Sequence, residues 1–478
     1  MKKRKQGWNL KYTWPLHVLV LPAVIIGIIF QYGPMFGIVM AFQDYKPWLG
    51  FFNSAWVGLE HFRTMFEYDY ARQVIWNTLV ISILKMIFGL FVPITFALLL
   101  NEVYHMTVKR TIQTVIYLPY FLSWVILGGI LLDLLSPDGG LVNQVIGLVG
   151  IDPIFFLGSN DWFRVTIVIS DLWKETGFNT IVFLAAITAV NPSLYEAAVV
   201  DGADRWKQTL YITLPAMLPI IIVVGTLSLG NILNAGFDQI FNLYNPLVYQ
   251  TGDIIDTYVY RVSLISGEFS YGTAVGLFKS VISLFLIVLG YRLAYKYANW
   301  RIFFKEENPM RLYKTKSYRT FTIINYSFLT LTAILCLLPL VHIFAVSLSG
   351  SGAATANLVA LWPVDFTVDA YERTLDNDNF IRSFVISVVR VILGTAISMG
   401  LLLCAAYSLA KNDHEFKGRK VYMWFFVFTM LFNGGLVPTY MVVTNLGLTN
   451  TIWALVLPTA INAFNLILLL NFFSNVRP

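Results

Sequence analysis

Residues 195–220 read YEAAVVDGADRWKQTLYITLPAMLPI. The stretch lies between two apolar runs, yet it carries Glu196, Asp201, Asp204, Arg205 and Lys207. A connector between hydrophobic segments needs polarity and nothing more. This one also holds the local signals of a defined shape. Just upstream, Asn191-Pro192 is a helix start, with Asn as N-cap and Pro at the first helical position, where no N–H is needed. Ser193 and Glu196 have capping-box spacing, which lets the start shift by a residue or two. Ala197, Ala198 and Ala203 offer a small-residue surface. Asp201-Gly202 stops the helix, Gly202 supplying the left-handed residue. Asp204 caps a second short helix through RWKQTLYI. Pro215 stands where the next apolar run begins, and Pro219 falls in its first turns. The expected product is a rigid helix–turn–helix.

The surroundings set the class. Of 478 residues, 57% are hydrophobic and only 13% charged, about half the charge of a soluble domain. The 16% aromatic content fits interfacial belts of Trp and Tyr. Apolar runs at roughly 16–41, 76–100, 112–135, 163–190, 215–236, 271–298, 321–346, 383–409, 421–443 and 450–470 are each long enough to span a bilayer as a helix. The chain therefore reads as an all-α polytopic membrane protein of about ten spans. The run after MKKRKQGWNLKYTW extends to about Phe42, far beyond a signal-peptide core, and is read as a retained first span.

The net charge of +6 is no nucleic-acid signal. Of the 33 Lys and Arg, 22 fall in the segments 1–15, 101–111, 191–214, 291–320, 410–420 and 471–478, six in the alternate segments 42–75, 136–162, 237–270 and 347–382, and five within spans. This bias puts the first set, and both ends of the chain, in the cytoplasm. Cys336 and Cys404 both lie in apolar runs and imply neither a disulfide framework nor a metal site.

Residues 77–89, NTLVISILKMIFG, repeat at 382–394 as RSFVISVVRVILG. At this offset of 305, Ser82 maps on Ser387, Lys85 on Arg390 and Gly89 on Gly394. Upstream, LEHF (59–62) and VDAY (368–371) share an acid two residues before an aromatic. The halves run in the same direction, a parallel repeat. A six-span first domain would occupy 1–306, a basic junction 307–320, and an incomplete second domain 321–478. A fusion of adjacent genes and a natural two-domain chain both account for the junction.

EAAVVDGADRWKQTLYITLP strongly resembles the EAA loop of permease subunits in binding-protein-dependent ABC importers. The family pattern is E-A-A, three residues, G, nine residues, then I-x-L-P. Glu196, Ala197, Ala198, Gly202, Ile212, Leu214 and Pro215 match it. GPMFGIVMAFQDY (33–45), WVGLEHF (56–62) and NTL (77–79) resemble the sugar-importing branch. DLWKETGFNTIVFLAAI (171–187) and FNGGLVPTYMVVTNLGLTNT (432–451) resemble paired permeases for complex oligosaccharides. The resemblance covers nearly the whole chain and implies a type I importer permease fold in a bacterial plasma membrane. It implies that the loop docks into separate cytoplasmic ATPase subunits, whose closure around ATP and Mg turns the permease outward. Glu196 and Asp201 would then bear on basic ATPase residues, with Ala197, Ala198, Gly202 and Ala203 allowing close approach and Pro215 opening the next span. It also implies an extracellular binding lipoprotein that meets the long outer segments.

The chain carries no motor of its own. G-x-x-x-x-G-K followed by Ser or Thr is absent, and SLSGSG (347–352) reads as a flexible loop on the outer side. With no H-E-x-x-H, no G-x-S-x-G and five scattered histidines, the sequence reads as a transport subunit without a cofactor of its own. Ionisable groups inside spans are candidate pathway residues. These are Lys85 and Arg390 in equivalent spans, and Lys174-Glu175 in the fourth span beside Trp173. Asn231, Asn234 and Asp238 approach the outer end of the fifth. Such a polar, aromatic lining suits an oligosaccharide, and the three cations suit an acidic one. The competing reading is interhelical bracing. A competing function is an ion-coupled secondary transporter with two parallel repeats, for which the EAA loop has no use. Aligned on Val190-Asn191-Pro192, the final Val476-Arg477-Pro478 precedes the place of a second loop, so the expectation is a truncated tandem that cannot couple ATP hydrolysis to transport unless a complete partner, such as a second permease chain, supplies that loop.

Overall fold

The computed structural model describes residues 10–298, 316–412 and 415–475. The junction 307–320 lies outside the described residues as far as 315, and so does the chain after 475. Among the described residues six helical stretches are long and apolar enough to cross a membrane, and three helix pairs pass the same test together across a sharp bend. These nine correspond to the first nine expected runs. The longest unbroken helices among the described residues are the second-span helix (Asp69–Asn101), the seventh-span helix (Lys316–Ser347) and the eighth-span helix (Asp378–Leu409). In a bilayer every backbone N–H and C=O must be paired within the chain, and a helix does this locally.

The bends correct the picture of uniform spans. The third run is Met106–Tyr117, a single 3-10 turn at Leu118–Phe121, then Trp124–Leu134 at 101°. Pro119 removes a donor from that turn, and the Ser123 side chain caps the new helix by accepting from the Ile126 N–H. The ninth run turns by 116° between Arg419–Leu431 and Leu436–Asn445. The tenth, 450–470, is not one helix: Ile452–Val456 and Ala463–Asn475 flank a turn that contains Pro458. Segment 42–75 adds a small antiparallel ladder, Gln43 opposite Trp56 and Asp44 opposite Ala55, so the chain is not helical throughout.

Packing forms two compact units that interleave the sequence halves: Met1–Asp69, Tyr258–Leu284 and Arg373–Pro478 in one, Tyr70–Thr257 and Phe285–Glu372 in the other. In the first unit, the first-span helix (Leu10–Gly27) packs on the eighth-span helix, with Val20 and Ala23 against Leu402, Ala405, Ala406 and Leu409. Small residues on both sides permit close approach without a hydrophobic drive between helices. Further along, the Tyr32 hydroxyl donates to the Phe425 carbonyl at 2.9 Å and its ring stacks on that of Phe425. In the second unit, the seventh-span helix packs on Met106–Tyr117, with Leu329 and Ala333 among Phe96, Leu100, Ile112 and Ile116. The Tyr326 hydroxyl accepts from the Tyr104 and His105 N–H groups, and Asn325 donates to the Leu99 carbonyl. Thus the leading span of each half packs on the body of the other. The packing units therefore mix the two halves expected from the sequence, 1–306 and 321–478. Short helices at Glu60–Glu67 and Asp369–Leu375 precede the long helices Asp69–Asn101 and Asp378–Leu409.

Candidate functional site

The loop takes its shape from the caps. The fourth-span helix (Asn160–Thr188) turns by 65° into Pro192–Val200. The Asn191 side chain accepts from the Ser193 N–H at 3.0 Å. Asp201 closes the helix and Gly202 follows at φ +76°, a conformation that costs any residue with a Cβ about 1–2 kcal/mol. Asp204 Oδ1 then accepts from the Lys207 N–H at 2.8 Å, starting Arg205–Gln208. One expectation needs correction. The second short helix is not separate from the fifth span, because a π-helical turn at Thr209–Thr213 carries it into the fifth-span helix (Leu214–Gly230). The wide turn absorbs Pro215, which cannot donate to the preceding turn.

This helix–turn–helix is braced from behind and open in front. The Tyr195 and Thr213 hydroxyls bond at 2.8 Å, and Gln208 donates to the Ala203 carbonyl at 2.9 Å. Burial raises the Glu102 carboxyl above its ordinary pKa, while Arg205 of the loop and Lys109 draw it back. On the open side Glu196, Ala197, Asp201 and Gly202 are exposed, and Ala198 and Ala203 half-buried. Val200, Tyr211 and Trp206 stand 87%, 77% and 71% exposed around them. A Cβ on Gly202 would meet nothing within 4 Å. Acids, small residues and bare apolar knobs on a rigid support make a surface suited to docking.

The second feature is a polar cleft of about 250 Å³ within the second unit. Ser82, Lys85 and Gly89 of the second-span helix line one side, and Asp171, Glu175 and Asn179 of the fourth-span helix another. Asn231 and Asn234, where the fifth-span helix ends, complete it. Lys85 Nζ pairs with Asp171 Oδ1 at 2.9 Å and donates to the Ala235 carbonyl at 2.8 Å and to Gln239 Oε1. Gln239, fully buried, donates in turn to the Ile167 carbonyl and Ser170 Oγ. A Cβ on Gly236, at φ +94°, would lie 3.0 Å from the Lys85 ammonium, so glycine leaves room for this network. Removed from water, a cation needs this complete set of partners.

The expected pathway residues therefore separate. Lys85, Glu175, Asn231 and Asn234 share the cleft. Lys174 does not: its ammonium donates to the Tyr120 and Leu122 carbonyls at 2.6 and 2.8 Å and lies over the Tyr120 and Trp124 rings. These carbonyls are released by the break in the third span, so Lys174 braces the bend. Adjacent residues point about 100° apart on a helix, which is why Lys174 and Glu175 part company. Trp173 lines an apolar cavity with Leu335 and Pro339. Asp238 is exposed in the first turn of Phe237–Leu243. Arg390 lines a separate groove in the first unit. Asp171, Asn179 and Gln239 were not anticipated. The signal for Asp171 was present, because it lies four residues before Glu175 and so on the same helix face.

Residues 89–299 match the family described as binding-protein-dependent transport system inner membrane component. The polygalacturonan/rhamnogalacturonan transport system permease protein YteP of Bacillus subtilis (strain 168) is 45% identical over 288 residues, covering 60% of this chain and 90% of YteP. The chain belongs to this permease family. YtcP of the same organism, named a permease of the same transport system, is 44% identical over 158 residues, covering 33% of this permease and 54% of YtcP. A solved bacterial alginate ABC transporter, in complex with an alginate pentasaccharide-bound periplasmic protein, matches at 40% identity. Its TM-score is 0.57, covering 61% of this permease and 97% of that chain. The expected family, the type I permease fold and integral membrane placement thus hold for this permease.

Proposed function

We propose that this permease forms the transmembrane path of an ATP-driven importer for acidic oligosaccharides. The exposed, capped loop at 192–208 carries the reading, because a rigid docking element is of use only to a separate motor. Cytoplasmic ATPase subunits hold the ATP and Mg, and this chain binds no cofactor and catalyses no reaction. Its amino end lies in the cytoplasm of a bacterial plasma membrane, following the positive-inside bias. An extracellular binding protein delivers substrate to the outer segments.

Two permease modules in one chain account for the relatives, one type matching along 288 residues and another along 158. YteP is named for polygalacturonan and rhamnogalacturonan, and the solved transporter carries alginate. All three are polymers that contain uronic acid. The cleft around Asn179, Asn231 and Asn234 offers amide donors and acceptors for sugar hydroxyls. The test is ATP hydrolysis by the importer assembled with its partner permease, ATPase and binding protein in proteoliposomes. Trigalacturonate is expected to raise the rate several-fold and a neutral glucose trisaccharide to leave it at the basal level. Equal stimulation by both, or by the neutral sugar alone, overturns the acidic-substrate reading.

A further inference from the structure

A turn of four residues, Glu102 to His105, joins the second-span helix to Met106–Tyr117. Two neighbouring side chains of the seventh-span helix hold it on one side. Asn325 Nδ2 donates to the Leu99 carbonyl at 2.9 Å, and Leu99 lies in the last turn of its helix, where carbonyls lack an intrahelical partner. The Tyr326 hydroxyl accepts from the Tyr104 N–H at 2.7 Å and from the His105 N–H at 3.0 Å. His105 is the N-cap of the helix that follows, so its N–H is likewise free of an intrahelical partner. Between these ties Val103 is buried in the cluster that holds Leu100, Ile112 and Leu329. Asn325 and Tyr326 thus grip the end of one helix and the start of the next, and the turn cannot shift without the seventh-span helix.

The other side of the turn meets the docking loop. Arg205, which opens the second short helix of the loop, and Lys109, one turn into the third span, both act on the Glu102 carboxylate. Glu102 and Arg205 also act on the Tyr195 hydroxyl, whose bond to Thr213 at 2.8 Å closes the loop on itself. One acid therefore gathers a cation of the loop and a cation of the third span in a partly buried place, where salt screens such interactions little. The exposed docking residues Glu196, Asp201 and Gly202 take no part in these bonds. Displacement is carried between sites by contiguous ion pairs and hydrogen bonds on rigid elements. Here the chain of contacts runs from Arg205 to Glu102, through the turn, to Tyr326.

We propose that Tyr326 is a positioning residue of the transport cycle: it ties the turn at Glu102 to the seventh-span helix, so that a loop displaced by its motor moves a span of the other sequence half with it. The assignment rests on the docking reading above and adds the route by which movement of the loop enters the membrane. The two bonds lie at an exposed surface, so water can take up both N–H groups when the hydroxyl is removed. Loss of the hydroxyl then loosens the link without unfolding the chain.

The test measures labelled trigalacturonate taken up per ATP hydrolysed, in proteoliposomes holding the importer with its partner permease, ATPase and binding protein. Tyr326→Phe is expected to lower this ratio roughly three- to tenfold, the effect of one or two lost hydrogen bonds. Hydrolysis itself is expected to stay within about twofold, as for a surface change away from the docking face. Glu102→Gln is expected to lower the ratio similarly, and the double variant to do no worse than the weaker single one, since both break the same link. Membrane yield and co-purification with the ATPase check folding. An unchanged ratio in Tyr326→Phe overturns the assignment. So does a proportional fall in uptake, hydrolysis and yield, which marks Tyr326 as structural, and so does a double variant whose losses multiply, which makes the two residues independent. Failure of the unaltered permease to hold an ATPase overturns the docking reading itself, and the assignment with it.

Discussion

Replacing Gly202 with tryptophan is expected to leave the chain folded in the membrane and to reduce ATP-driven uptake by about 100-fold or more, the size of effect that follows from disrupting a central, closely packed docking position. Two local facts separate folding from docking. The glycine has φ +76°, so any substitution carries backbone strain of about 1–2 kcal/mol. Its Cβ position faces open space, so bulk there meets nothing within the chain. Gly202→Asn is the control, because asparagine tolerates the left-handed region and is small. Detergent-purified Gly202→Trp should lose its ATPase partner in co-purification, and Gly202→Asn should keep most of it. Equal loss in both would place the effect in backbone strain and remove docking as its cause.

The second large effect is expected at Lys85. Lys85→Met leaves the Asp171 carboxylate in a partly buried site without its cation, Lys85 and Asp171 side chains being 11% and 23% exposed. Removing one partner of such a pair costs about 3–5 kcal/mol, whereas replacing both by apolar groups is often close to neutral. Thermal unfolding in detergent should therefore show a large fall for Lys85→Met and for Asp171→Leu. The double variant should recover most of the loss. A double variant that falls by the sum of the two single losses would show that the pair acts as two independent residues, contrary to the geometry.

Capping is local chemistry, and so the loop was legible. Asn191, Pro192, Asp204 and Gly202 each act within three or four residues of themselves, and the structure finds them in the expected roles. The approximate positions of the long spans followed from unbroken apolar runs, although the second-span helix starts at Asp69, seven residues before its run. The rest depended on partners remote in sequence. Lys174 could be found beside Glu175 in the chain, yet its acceptors lie more than fifty residues away, at a break that Pro119 and Ser123 create. The Lys85–Asp171 pair joins two spans 86 residues apart. The packing of Val20 and Ala23 on Leu402 and Ala405 crosses from one repeat to the other, and no periodicity within either helix encodes which neighbour it takes.

The central claim is that this permease is driven through the 192–208 loop by a separate ATPase, and the source of energy tests it most directly. Proteoliposomes containing the permease with its partner permease, ATPase and binding protein are loaded with ATP, and initial uptake of labelled oligogalacturonate is measured with vanadate or with ionophores that collapse proton and sodium gradients. The account predicts uptake that requires internal ATP, is abolished by vanadate, and is unchanged by the ionophores. Uptake that persists without ATP and collapses with the ion gradient would contradict it, and would make the chain an ion-coupled carrier.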